Sequence, residues 1–187
     1  MSDKLQVGDI APQFIVKDAF GKKIDLKSYA KHKTLISFFR YAGCPWCNLA
    51  LHKLTQEFPI LQKNGMEAIV FLQSDKDSIA QQVYERHTPK PPFAIVPDTT
   101  RSIYDLYGVQ DSKVALAKSV RKLPQWVDSS VRHHFTQSKV DGSLFLVPAQ
   151  FVVGEKSQKI QYVNYWKDMY SPASALDIFN VLQFGEF

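Results

Sequence analysis

Cysteine is the scarcest informative residue: two in 187, Cys44 and Cys47, three positions apart. So few exclude a disulfide framework and a four-cysteine zinc site. Long apolar runs are missing too. No stretch approaches the roughly 18 residues of a membrane span, and residues 1–7 are polar, without the apolar core of a signal peptide. Internal repeats and low-complexity blocks are absent, and the Pro-rich stretch 89–92 is too short for an interdomain linker. Charge of one sign is only mildly in excess: the net charge is +5, from 23 Lys and Arg against 18 Asp and Glu. Because the two signs interleave, the pair Lys22 and Lys23 reads as a solvated turn. These absences argue against nucleic acid and membrane as partners and make the reducing cytoplasm the expected setting. There a close cysteine pair is more often redox-active or metal-binding than a structural staple.

What is present is apolar and aromatic. With 45% hydrophobic residues, 13 Phe, 8 Tyr and 3 Trp, the chain is a folded protein whose length fits one domain over residues 1–187. Residues 12–17 and 24–26 flank a turn at 18–23 and predict an N-terminal hairpin. Residues 34–39 (TLISFF) form a short, nearly continuous apolar run, as expected of a strand buried on both faces. Helical spacing of Leu49, Leu51, Leu54, Phe58 and Leu61 predicts a helix over 44–62, with Gly65 just beyond as a stop. A second buried strand follows at 66–72, then a helix at 78–87 with Asp77 as its cap, then a short strand at 93–96 running into a capped helix that closes at Gly108. Strand and helix in alternation imply an α/β sheet with parallel pairs. Residues 145–153 and 159–163 predict an antiparallel hairpin, and 174–182 a closing helix. Residues 111–142 lack a clean period and read as a partly helical insertion packed on the sheet.

The cysteine pair stands where the 34–39 strand hands over to the 44–62 helix. A thiol at a helix N-terminus faces unpaired N–H groups and the positive end of the macrodipole, which favour thiolate. Free cysteine has a pKa near 8.5, and such placement lowers it to roughly 3.5 to 7.5. Cys44 is therefore the expected nucleophile. Pro45 suits the first helical turn, where a missing N–H costs nothing. Cys47 lies one turn on, placed to resolve a mixed disulfide. Arg40 ends the preceding strand, and its fixed charge adds to the stabilisation of a thiolate. Two other readings of the pair stay open: half of a zinc site completed by His52, His87, His133 or His134, and inert core cysteines.

Residues 7–14 (VGDIAPQF), 18–26 (DAFGKKIDL), the TLISFF strand ending at a cysteine, and 93–109 (FAIVPDTTRSIYDLYGV) resemble the peroxiredoxins and their relatives in the alkyl hydroperoxide reductase and thiol-specific antioxidant group. The resemblance spans residues 5–110 and again about 145–165. It implies a thioredoxin-like fold: a central mixed β-sheet flanked by helices, here with an N-terminal β-hairpin extension and the helical insertion. It also implies a proline with a cis peptide bond facing the cysteines, a place that Pro148 matches. The pair itself, Cys44-Pro45-Trp46-Cys47, is similar to the Cys-Pro-Tyr-Cys of glutaredoxins. Where the family carries a Thr or Ser three residues before its peroxidatic cysteine, this chain has Tyr41, and position 37, where the family's Pro falls, is Ser37.

The resemblance implies a thiol-dependent antioxidant oxidoreductase without cofactor or metal. Cys44 attacks a hydroperoxide and Cys47 closes an intramolecular disulfide, with Arg40, Tyr41, Pro45, Trp46 and Pro148 in support. A thioredoxin or glutathione system is the expected reductant. The alternatives are a thiol-disulfide oxidoreductase acting on protein or glutathione disulfides, and a non-enzymatic redox-sensing module. The aromatic tail, Tyr162, Tyr165, Trp166, Tyr170, Phe179, Phe184 and Phe187, reads as core and rim packing, with a homodimer as the explanation should several be exposed.

Overall fold

A computed structural model describes residues 4–112, 114, 135–166 and 174–184. A short antiparallel hairpin, β1 (Ile15–Lys17) and β2 (Lys23–Asp25), precedes β3 (Lys33–Phe38), α1 (Pro45–Lys63) and β4 (Met66–Leu72). Then come α2 (Lys76–Ile79), which widens into a π turn over Ala80–Tyr84, β5 (Ala94–Pro97), α3 (Ser102–Leu106), β6 (Ala149–Val153), β7 (Ile160–Tyr165) and α4 (Ala175–Phe184). The main sheet is mixed, in the order β5-β4-β3-β6-β7: β5, β4 and β3 run parallel, and β6 and β7 are antiparallel to their neighbours. This is the α/β architecture expected from the strand and helix alternation.

Period-two geometry divides the strand residues between two cores. Leu35 and Phe39 of the TLISFF run face one side with Val70, Leu72 and Val152, under α1 and α4. Ile36 and Phe38 face the other with Phe71, Phe151, Tyr104 and Tyr107. Both faces of β3 are covered, which is why its sequence does not alternate polar with apolar. Tyr162 and Trp166 are buried, as core packing requires, whereas Tyr170, the Phe184 side chain and Phe187 lie outside the described residues.

Two sequence expectations are corrected and a third is met with its detail added. The helix expected over 78–87 begins at Lys76, because Asp75 and not Asp77 is its cap: Asp75 Oδ1 accepts from Ser78 N at 2.7 Å. Its second half is a π turn closed by Glu85 N donating to Ala80 O. The helix expected after the 93–96 strand starts at Ser102, with Arg101 at the N-cap position and Asp98 accepting from Ser102 N and Ile103 N from further back. The Val147–Pro148 bond is trans; among the described residues the cis X-Pro bond is Thr88–Pro89. Pro148 instead directly precedes β6, and its carbonyl accepts from Trp166 N at 3.1 Å.

The passages at residues 110–112 and 145–147 run side by side, joined by Ser112 N to Phe145 O and Val147 N to Gln110 O. The helices expected around 114–121 and 125–135 fall almost entirely outside the described residues. Residues 135–144, the returning arm, cross the end of the sheet where β3 meets α1.

Candidate active site

Cys44 is the N-cap of α1, with extended backbone (φ −81°, ψ 122°) and Pro45 following at the first helical position. Its sulfur does what a Ser or Asp oxygen does at other caps, accepting from Cys47 N at 3.4 Å. Arg40 Nη2 donates to the same sulfur at 2.9 Å. The guanidinium is buried, 1% exposed, and sandwiched by aromatic faces: its Cζ lies 5.0 Å from the Trp46 ring centre and 5.7 Å from that of Tyr41. Nη1 reaches Leu144 O at 3.4 Å. Burial disfavours the guanidinium's charge, but the neighbouring Cys44 and Cys47 sulfurs and Tyr41 favour it more, so Arg40 is held charged.

The two thiols are driven apart. Burial pushes Cys44 up, yet the hydrogen bond from the Cys47 thiol, the Arg40 charge and the backbone N–H groups of Cys47 and Trp46 outweigh it and bring its pKa down to about 6. Cys47 is pushed well above the ordinary thiol range by burial, by its hydrogen bond to Cys44 and by the charge there. One sulfur is a thiolate at neutral pH and its neighbour keeps a proton, the division of labour a dithiol cycle needs.

Both sulfurs are inside: Cys44 is 0% and Cys47 3% exposed. The returning arm covers them. Ser138 N donates to Gly43 O at 3.1 Å and Tyr41 Oη to Gln137 Oε1 at 3.1 Å. Ser74 Oγ takes Ala42 N at 2.7 Å and gives its own proton to Asp141 Oδ1 at 2.5 Å, tying the loop before Cys44 to the arm. A Cβ at Gly43 would run into Lys139 O and Ser138 Oγ, so only glycine lets the arm approach there. Burial, with Cys44 adding to it, raises the Tyr41 phenol to about 12, leaving it a neutral donor.

Arg40, Tyr41, Cys44, Pro45, Trp46 and Cys47 are thus gathered at one point. Pro148, buried, stands at the same end of the sheet, since the adjoining Ala149 pairs with Phe38 of β3. The reading of the residues missed Asn48 and His87. Asn48, 0% exposed, donates from Nδ2 to Ala42 O at 2.6 Å and Cys44 O at 3.0 Å, while its Oδ1 meets His87 Nε2 at 2.8 Å. An amide four residues after a cap, on the buried face of its helix, was the available signal. Of the histidines weighed for zinc, His87 spends Nε2 on Asn48, and His133 and His134 lie outside the described residues. No group of three or more His, Cys, Asp or Glu side chains gathers among the described residues. No described helix is long and apolar enough to cross a membrane.

A mixed sheet whose first parallel strand delivers a Cys-x-x-Cys pair to the N-terminus of the following long helix defines the thioredoxin-like class. Within it, the chain belongs to the AhpC/TSA family, whose pattern matches residues 7–163. It is similar to the thiol-disulfide oxidoreductase ResA of Bacillus thuringiensis (strain Al Hakam), 29% identical over 107 residues that cover 57% of this chain and 60% of that protein. It is also similar to peroxiredoxin Bcp of Escherichia coli (strain K12), 24% identical over 115 residues, 62% of this chain and 72% of that one. The match to ResA thus spans less than two thirds of that protein's length. Among solved structures, a cysteine-to-serine mutant of peroxiredoxin 6 from Arenicola marina superposes with a TM-score of 0.72 at 14% identity, over 96% of this chain and 72% of that one, a likeness of fold. The chain is thus similar both to a protein named as a peroxiredoxin and to one named as a thiol-disulfide oxidoreductase, within one family.

Proposed function

We propose that the protein is a thiol-dependent peroxidase whose cycle closes between Cys44 and Cys47. The observation that carries this reading is the split of the pair, a cap thiolate held by Arg40 beside a protonated neighbour that already donates to it. The Cys44 thiolate attacks the terminal oxygen of a hydroperoxide, the O–O bond breaks, and the alkoxide leaves and takes a proton. Cys44 is then a sulfenic acid. The Cys47 sulfur attacks the Cys44 sulfur, water leaves, and a Cys44–Cys47 disulfide remains. Two equivalents of an external thiol, from a thioredoxin or glutathione system, restore the dithiol. Full burial of both sulfurs favours a small oxidant over a folded protein disulfide as the first substrate.

A second reading has its own support. The Tyr41 hydroxyl, standing where the family's Thr or Ser orients the peroxide, is engaged with Gln137. Cys44 attack on a glutathione or protein disulfide, with Cys47 releasing the product, needs no such hydroxyl, and ResA is a relative of that activity. Stopped-flow oxidation of the reduced protein by hydrogen peroxide, beside reduction of a glutathione mixed disulfide, separates the two. Peroxide oxidation far faster than that of free cysteine is expected; a rate no faster than free cysteine, with rapid mixed-disulfide reduction, selects the second reading.

A further inference from the structure

Asn48 sits in the first turn of α1, and its amide is committed on every side. Nδ2 donates to the carbonyls of Ala42 and Cys44, on either side of Gly43, which leaves Oδ1 as an acceptor for His87. His87 Nε2 therefore carries the ring proton and donates it. The imidazole stands three residues past the π turn Ala80–Tyr84, is 2% exposed, and stacks on Phe135 with centroids 4.7 Å apart and planes 22° from parallel. Single π turns recur at functional sites. The other ring nitrogen, Nδ1, is buried with no hydrogen-bond partner among the described residues. Nothing on that side rewards a second proton, and burial, with His52 and Arg86 adding to it, lowers the His87 pKa to about 4.

We propose that Asn48 and His87 are a positioning pair that sets the ionisation of Cys44 by holding its loop in the geometry that presents backbone N–H groups to the sulfur. The sulfur's backbone donors are the N–H groups of Trp46 and Cys47, useful only while Cys44 keeps its cap conformation. Asn48 fixes that conformation from below. With Oδ1 and Nδ2 interchanged, Oδ1 would face the two carbonyls and Nδ2 the His87 N–H, so the carbonyls and His87 together hold the amide in one orientation. The groups facing Cys44 are Arg40, Cys47 and Tyr41, and those facing His87 are His52, Arg86 and Asn48. Neither residue touches the reacting sulfur through its side chain; the pair acts through the loop.

The inference rests on Cys44 being the low-pKa thiol, and its test needs no turnover. Thiolate absorbance of the reduced protein is titrated for the wild type, Asn48→Ala, His87→Phe and His87→Gln, with near-ultraviolet circular dichroism confirming the fold. The wild type is expected to titrate near 6; a wild-type midpoint at the free-cysteine value contradicts the thiolate reading itself. Asn48→Ala is expected to leave about tenfold less thiolate at a pH well below the wild-type midpoint, one pKa unit. His87→Phe keeps a ring against Phe135 but has no donor, and about threefold less thiolate is expected. His87→Gln retains an N–H and should recover most of that loss. Folded variants that are less stable yet titrate as the wild type overturn the proposal. Should Asn48→Ala not fold, the contrast between His87→Phe and His87→Gln decides it alone.

Discussion

The two sides of the five-stranded sheet are built from different materials. Beneath it, Phe14, Phe38, Phe71, Tyr104, Tyr107 and Phe151 stack and meet edge-on with centroids 5.0 to 6.3 Å apart. Two tyrosine hydroxyls there are each spent on a backbone carbonyl, Tyr104 on Phe39 and Tyr107 on Pro12. Above it, under α1, the apolar core is interrupted at the end of β3 by buried Arg40, Asn48, Gln73, Ser74 and His87 around the two thiols. A dry aromatic layer gains from area and ring geometry, about 0.5–1.5 kcal/mol per pair beyond burial. A buried polar cluster is costly unless every group is matched. The lower face is a foundation and the upper holds the candidate site, and each should fail in its own way.

The sharpest break of that contrast is Cys44→Ser, which keeps the cap but not the nucleophile. Turnover with peroxide and thiol is expected to fall to background while the urea midpoint stays close to that of the wild type. Phe151→Ala, on the opposite face, should lower stability by about 3–5 kcal/mol through the cavity it leaves. The surviving folded protein should titrate its thiolate as before; a moved midpoint would mean that the two faces are coupled. Arg40→Met removes the charge at 2.9 Å from the sulfur and retains a buried chain of similar length. Its thiolate titration should move upward, and alkylation by iodoacetamide near pH 5, below the wild-type midpoint, should slow about tenfold, one pKa unit. In the wild type the sign follows from a depressed acid: alkylation is fast above about 6, where Cys44 is thiolate, and falls away as pH drops below it. The smallest effect expected is that of Tyr41→Phe, which loses one hydrogen bond to the covering arm, about 0.5–1.5 kcal/mol. Peroxide oxidation should then quicken about threefold as the arm loosens; slowing would make Tyr41 the group that orients the peroxide.

The lower face was readable because it is local pattern: TLISFF and MEAIVFL announce strands buried on both sides, and both strands are found within a residue of their expected bounds. Cys44 as a cap was readable too, since a proline directly after it marks the first helical turn. The helix after β4 was misplaced because both Asp75 and Asp77 are plausible caps, and only the fold decides that Asp75 reaches Ser78 N. Pro148 is expected to be cis by resemblance, but its bond is trans and the strand begins directly after it, with Ala149 pairing with Phe38. The covering arm and the Asn48–His87 contact were illegible for another reason. Their partners lie 96 residues apart for Tyr41 and Gln137 and 39 for Asn48 and His87, and no local period records such a pairing. Gly43 gave a trace of the arm, as a glycine where a strand meets a helix with no positive φ to demand it.

Mass spectrometry of reduced protein quenched rapidly after mixing with hydrogen peroxide tests the cycle most directly, with the wild type beside Cys47→Ser. The account predicts that the wild type loses two hydrogens and yields a Cys44–Cys47 disulfide, and that Cys47→Ser accumulates one added oxygen on Cys44. Oxygen on Cys47 in a Cys44→Ser protein at a comparable rate, or a wild type that stays reduced while free cysteine is consumed, would contradict it.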